Sequence, residues 1–321
     1  MSNIAVNKPK SSFLLRIKTL GSDIYKYKES YFLIAPGIIW YIIFAYIPIF
    51  GLTLAFRRFM PVLGIFGSPW VGFVNFQHLF RDPAFFASIF TSLRINLGRL
   101  LFVFPYPIVL ALFINEVRLG KPKKIIQSIF TFPHFLSWVI VASIMINVLG
   151  RMGLVNSFIG LFGAEPINFL GNPAIFQPMI YITAIWKEAG WSAIIYMAAI
   201  SGIDAEQYEA AEIDGARRLQ CMWHITLPNI KSTIIVLFIL AVGNIMTAGF
   251  DQIFNLSNAA TMRVAETLDM YIYRITFQRA ADFSFSTAVS LFRSVVNLTL
   301  LLTANQVIKA LGGSGLIASS N

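Results

Sequence analysis

Bond-making chemistry needs a nucleophile beside its base, paired carboxylates or a metal-ligand set, and this 321-residue sequence spaces none of its residues that way. His78, His134 and His224 are scattered, and the single cysteine, Cys221, excludes an intrachain disulfide. Gly120-Lys121 runs into Pro122 and lacks the glycine spacing of a phosphate-binding loop, so the chain carries no nucleotide hydrolase site of its own. The residues that are spaced for work form a charged docking segment. Asp204, Glu206, Glu209, Glu212 and Asp214 are five of the fifteen acidic residues. Asp204 and Gln207 have the form of a capping box, which starts a helix of about three turns that Gly215 ends or bends. Ala211 and Gly215 present a small-small ridge open to another backbone, with Glu209 and Glu212 beside it. A helix lying on the bilayer is one reading of this segment. Such helices are usually basic because the cytoplasmic leaflet is anionic, and here only Arg217 and Arg218 follow the acids. A protein partner with a basic groove fits better.

A second set of polar residues lies inside apolar segments. Arg94, Arg99, Lys187, Glu188 and Arg293 are either structural ion pairs and snorkelling chains or the lining of a path, since an ion at the bilayer centre costs about 2.5 to 3.5 kcal/mol. Adjacent on a helix, Lys187 and Glu188 point about 100° apart and are not expected to pair. Asn96, Asn147, Asn244 and Asn297 read as helix-to-helix hydrogen bonds or, less often, as ligand contacts. Trp186 and Trp191 fit an interface, a core or an aromatic wall.

The elements that must position these residues are apolar. With 57% hydrophobic, 15% aromatic and 12% charged residues, the chain has about half the charge of a soluble domain and reads as a membrane protein. The formal net charge of +10 does not imply nucleic acid, because the Lys and Arg residues are spread between apolar spans. Six spans are expected, at 31–56, 89–114, 125–149 with an interruption at Pro133, 174–200, 232–254 and 283–308. Residues 57–86 form an ordered loop rich in aromatics. Residues 1–30 form a basic tail with a surface helix and no apolar secretory core, 31–310 the membrane domain with its loop at 201–231, and 311–321 a second tail. Basic residues assigned to the side holding the tails and the docking loop outnumber those opposite two to one, which places both termini in the cytoplasm. Arg57 and Arg58 stand on the wrong side of that count.

Glu209-Ala210-Ala211, Gly215, Ile225 and Leu227-Pro228 resemble the EAA loop of the permease subunits of binding-protein-dependent ATP-binding-cassette importers. The run from Trp186 to Trp191, followed by Ile203-Asp204, is similar to the carbohydrate branch, and within it to the permeases for complex saccharides. The similarity covers about 31–309 and is most specific from Asn96 onward. It implies an all-α polytopic protein of the type I importer fold in a bacterial cell membrane, coupled through Glu209, Ala210, Ala211, Gly215, Ile225, Leu227 and Pro228 to a partner. Two cytoplasmic ATPase domains would hold ATP and Mg, while this chain binds no cofactor. A second, different permease would complete the pore, and an external solute-binding protein would deliver the saccharide. Candidate path residues are Asn96, Arg99, Trp186, Lys187, Glu188, Asn244, Arg293 and Asn297. In-span acids number only Glu188 and at most Asp251, and the resulting positive surplus suits an acidic saccharide. The alternative is an ion-coupled secondary carrier with Glu188 and Asp251 as coupling carboxylates, which has no need of the acidic loop.

Overall fold

The computed structural model of the protein describes residues 26–117, 120–278, 281–313 and 315–316. The expected surface helix of the N-terminal tail, Arg118 and most of the C-terminal tail lie outside them. All regular elements among the described residues are helical, apart from one isolated bridge between Arg57 and Trp70. In chain order we label α1 (Lys28–Phe56), α2 (Pro83–Asn115), α3 (Gly120–Thr131), α4 (Trp138–Leu149), α5 (Pro173–Ser201), α6 (Ala205–Ile213), α7 (Arg218–Asn229), α8 (Lys231–Gly243), α9 (Phe250–Leu256), α10 (Leu268–Tyr273) and α11 (Phe283–Ala310).

Proline helps set the pitch of several of these helices. Wide π-type turns at Ile42–Tyr46 in α1, Arg99–Val103 in α2 and Met222–Thr226 in α7 each end two residues before Pro48, Pro105 or Pro228. A proline has no N–H for the carbonyl four residues back and its ring crowds that carbonyl, which favours a wider preceding turn.

Among the described residues, four stretches, Lys28–Phe56, Pro83–Asn115, Trp138–Gly160 and Phe283–Ala310, are long and apolar enough to cross a membrane. Counting α7 and α8 as one span bent by 60° makes five. The 29-residue α5 is not among them, although at about 1.5 Å per residue it is long enough. It runs through the protein interior, burying Phe176, Ile180, Thr183, Ala184, Lys187, Gly190, Ala193 and Tyr196, and so needs less apolar surface than a lipid-facing helix. By contrast α1 leaves nearly all its side chains exposed, as expected of a helix whose solvent is hydrocarbon.

Two expected spans are discontinuous. Residues 125–149 divide into amphipathic α3, a 3-10 turn at Phe132–Phe135 that Pro133 opens, and α4, capped by the Ser137 hydroxyl. Residues 232–254 break after Gly243 and restart at Phe250 behind Gly249, whose φ of +71° is left-handed. The first break is written in the sequence as a proline; the second is made by tertiary partners described below. Arg57, on the wrong side of the charge count, is tied into the 57–70 loop by hydrogen bonds to the Phe66 and Ser68 carbonyls.

Candidate functional site

The acidic segment folds as expected into a short helix. Asp204 caps α6 by accepting from the Glu206 N–H at 3.1 Å. The capping box does not close, because the Gln207 side chain instead accepts from Asn229 Nδ2 at 2.9 Å. The Tyr208 hydroxyl meets the buried Thr226 hydroxyl at 2.9 Å. These two contacts pin α6 to α7, while Glu206, Glu209 and Ala210 remain exposed. Helix α6 ends in a Schellman pair, with the Ala216 N–H on the Ala211 carbonyl and the Gly215 N–H on the Glu212 carbonyl. Gly215 lies beyond the helix end at φ +78°, so it does not form a ridge with Ala211. A side chain at Gly215 would meet open space, so its backbone conformation, and not crowding, calls for glycine. Pro228 stands just before the 60° bend into α8, with Ile225 and Leu227 half-buried beside it. Exposed Ile213, Leu219 and Trp223 add apolar surface near the acids.

At the other end of α8, residues 244–249 leave the helix inside an expected span, where hydrocarbon would leave bare backbone polar groups unsatisfied. Three distant side chains satisfy them. Asn96 on α2 donates to the Ile245 carbonyl at 2.6 Å, Asn297 on α11 accepts from the Met246 N–H at 3.1 Å, and Asp269 on α10 accepts from the Ala248 N–H at 3.1 Å. The second oxygen of Asp269 takes Arg293 in an ion pair. The expected surplus of positive charge is therefore smaller by one, since Asp269, which lies outside the expected spans, reaches Arg293. Arg94 faces the Gln177 amide. Arg99 donates to Gln252 Oε1, and Gln252 in turn donates to the Ile180 carbonyl and the Thr183 hydroxyl at 2.7 and 2.8 Å.

Lys187 and Glu188 do pair, at 3.0 Å, against the expectation. Their long side chains converge on the turn at Phe132–Phe135, where Lys187 Nζ donates to the His134 carbonyl at 2.7 Å and Glu188 meets His134 Nδ1 at 2.6 Å. Trp191 stacks on the His134 ring with centroids 4.5 Å apart. A Cβ on Gly190 would penetrate the Phe130 carbonyl. Lys187, Glu188, Gly190 and Trp191 thus clamp α5 to the break between α3 and α4, and Trp186 remains partly exposed next to them.

Two clefts open beside these sites. One, of about 260 Å³, is lined by Asn96, Arg99, Val103, Phe104, Asn244 and Thr247. The other, of about 220 Å³, shares Val103 and Phe104 and continues to Glu188, Ser192 and Tyr196. Of the residues expected to line a path, Asn96, Arg99 and Asn244 come together in the first cleft and Glu188 lies in the second. Asn297 and Arg293 sit behind the first wall and hold it. Asp269, Gln252, Thr247 and Gly249 were not singled out from sequence. Only Gly249, beside an in-span Asn and Thr, carried a signal of a break.

The described residues thus place polar side chains along two clefts, a bent helix pair and an exposed acidic helix on one chain. The chain is 46% identical over 292 residues to the polygalacturonan/rhamnogalacturonan transport system permease protein YteP of Bacillus subtilis (strain 168), covering 90% of each. It is 43% identical over 290 residues to protein LplB of the same organism, covering 90% and 91%. Among solved structures, it matches a chain of a bacterial ABC transporter involved in the import of the acidic polysaccharide alginate, with a TM-score of 0.83, 38% identity and coverage of 91% and 99%. The same transporter in complex with an alginate pentasaccharide-bound periplasmic protein matches with a TM-score of 0.82. Residues 107–311 match the family described as the binding-protein-dependent transport system inner membrane component, and the chain belongs to that family of membrane transport subunits.

Proposed function

We propose that the protein is one transmembrane half of an ATP-driven importer of saccharides that contain uronic acids. It crosses a bacterial cell membrane six times, with α5 and the bent α7–α8 pair completing the four apolar stretches, and both termini are cytoplasmic. A second, different permease subunit completes the pore. Two cytoplasmic ATPase domains hold ATP and Mg, and an external solute-binding protein delivers cargo. The relatives named for polygalacturonan, rhamnogalacturonan and alginate transport support the cargo class. The observation that carries the coupling role is the geometry of α6, whose acids face outward while Tyr208 and Gln207 fasten it to the bent helix behind.

Glu209 meets a basic groove on the ATPase, and Ala210, Ala211, Gly215, Ile225, Leu227 and Pro228 shape the segment that presents it. ATPase co-purification and saccharide uptake in vesicles test this. Glu209→Lys is expected to lower uptake at least about tenfold, the cost of one charge-assisted contact of about 1.5 to 3 kcal/mol turned repulsive, while the protein still inserts. Normal uptake removes the docking role. Orientation is tested in a Cys221→Ser background with a membrane-impermeant thiol reagent added outside. Cysteines at Lys123 and Glu206 are expected to stay unlabelled and one at Glu165 to react; the reverse pattern overturns the topology.

A further inference from the structure

The four cations of the expected spans differ in what faces their charge. Lys187 has the Glu188 carboxylate and Arg293 has Asp269. Arg94 is exposed, where it reaches water or headgroups beside Gln177. Arg99 is half-buried and, among the described residues, its hydrogen bond goes to a neutral partner, Gln252, while the Asp269 and Glu188 carboxylates act on it only from beyond ion-pair distance. Its Nε is buried without a hydrogen-bond partner. A guanidinium carries five donors, and one amide oxygen occupies few of them.

The surroundings hold this unfilled group in place. Gln252 is fully buried, and because its nitrogen is committed to Ile180 and Thr183, its oxygen must face Arg99. Gly249 clears the space alongside, since a Cβ there would lie 2.8 Å from Arg99 Nη1. The wide turn at Arg99–Val103 starts at Arg99 itself. On its open side lies the cleft of about 260 Å³, where Asn244 and Thr247 are exposed. That volume is several times the roughly 30 Å³ share of one water, so a sugar-sized group has room.

We propose that Arg99 reads the carboxylate of the cargo, positioned by Gln252 and cleared by Gly249, with Asn244 and Thr247 offering hydrogen bonds to ring hydroxyls. The assignment rests on the reading of the chain as a saccharide importer. A planar fork suits a carboxylate bidentately, which a lysine at this position cannot reproduce. Any acidic side chain supplied by the second permease would compete for the same donors.

The test uses the complete complex, with its second permease and ATPases, in nanodiscs without the solute-binding protein, which removes selection upstream. Binding of trigalacturonate and of its neutral methyl ester is measured for wild type, Arg99→Gln and Arg99→Lys, with co-purification of all subunits as the folding control. Wild type is expected to prefer the acid by about tenfold or more, the scale of a charge-assisted pair. Arg99→Gln is expected to abolish the preference and Arg99→Lys to restore it in part. Equal or absent binding of the two probes by wild type, or an unchanged ratio in Arg99→Gln, overturns the assignment and points to an acid of the partner subunit covering Arg99. Saccharide uptake by the same wild-type complex in vesicles is scored separately, so loss of carboxylate selection and failure of saccharide transport remain distinct results.

Discussion

Helix α8 is a short rod between two joints built in opposite ways. At the α7 end, Pro228 and the 60° bend are held by contacts close in sequence or near the surface: Asn229 to the Ile225 carbonyl and to Gln207, and Tyr208 to Thr226. At the α9 end, the break at 244–249 is held by Asn96, Asn297 and Asp269, side chains from three different elements. The first joint leaves polar groups for a partner; the second uses its polar groups on its own backbone. Under the proposed coupling role, a displacement applied at α6 would reach the bend, the softer joint by its contacts, first, and α8 would carry it to the better-held break beside the Arg99 cleft.

The largest effect is expected where stiffness rests on charge. Asp269→Ala removes the partner of Arg293 and the acceptor of the Ala248 N–H together. Removing one partner of a fully buried pair typically costs about 3 to 5 kcal/mol because the other charge stays behind, and this partly buried pair is expected at or below the low end of that range. Thermal unfolding of the purified complex is expected to drop accordingly, and Asp269→Ala with Arg293→Met is expected to recover much of the loss. An unchanged melting temperature in the single variant would mean that the break is not held by this pair and that the two joints are alike.

Much of this contrast was readable in the sequence, and the unread part has a common cause. Pro133 acts through local backbone geometry, so the α3–α4 interruption follows from residue type; the wide turns before Pro48, Pro105 and Pro228 do not follow from proline alone, since Pro36 and Pro178 lie in helix without one and Arg274–Gln278 is wide without a proline. The Asp204 cap and the terminating role of Gly215 are local too. The break at 244–249 has no proline and depends on partners between 21 and 149 residues away, which no window on the sequence brings together. The pairing of Lys187 with Glu188 escaped for the same reason, since the His134 turn that gathers both side chains is contributed by another element. Of the in-span asparagines, Asn96 and Asn297 reach across to the non-helical segment 244–249 and not to another helix, while Asn147 and Asn244 donate to the Ser143 and Leu240 carbonyls of their own helices, Asn244 lying exposed in the cleft.

A smaller loss is expected where the stiff joint rests on a neutral bond. Asn96→Leu keeps the side-chain branching and heavy-atom count but strands the Ile245 carbonyl, at a cost of about 1 to 3 kcal/mol for a buried group without its partner. The melting temperature is expected to fall less than in Asp269→Ala, and the two losses are expected not to add, because both variants loosen one six-residue segment. Strict additivity in the double variant would show that the three side chains hold independent features and not one joint.

The smallest change in stability belongs to the soft joint, and its readout is functional. Tyr208→Phe removes a single hydroxyl at 2.9 Å from Thr226, and Thr226 retains the Cys221 carbonyl at 3.5 Å as an alternative acceptor. The net cost is therefore expected at the low end of the range for one hydrogen bond, about 0.5 kcal/mol. The phenylalanine ring keeps its place in the cleft that Asn115 and Glu116 also line, and the outward acids are untouched, so ATPase association is expected to remain normal. Under the proposed coupling role, this bond would pass displacement from α6 to α7. Uptake per ATP hydrolysed in proteoliposomes is expected to fall by a factor of about two to three, the Boltzmann equivalent of that half kilocalorie, with little change in hydrolysis itself. An unchanged ratio of uptake to hydrolysis would mean that α6 moves the bent helix through Gln207 and Asn229 alone, and the soft joint would then rest on one contact instead of two.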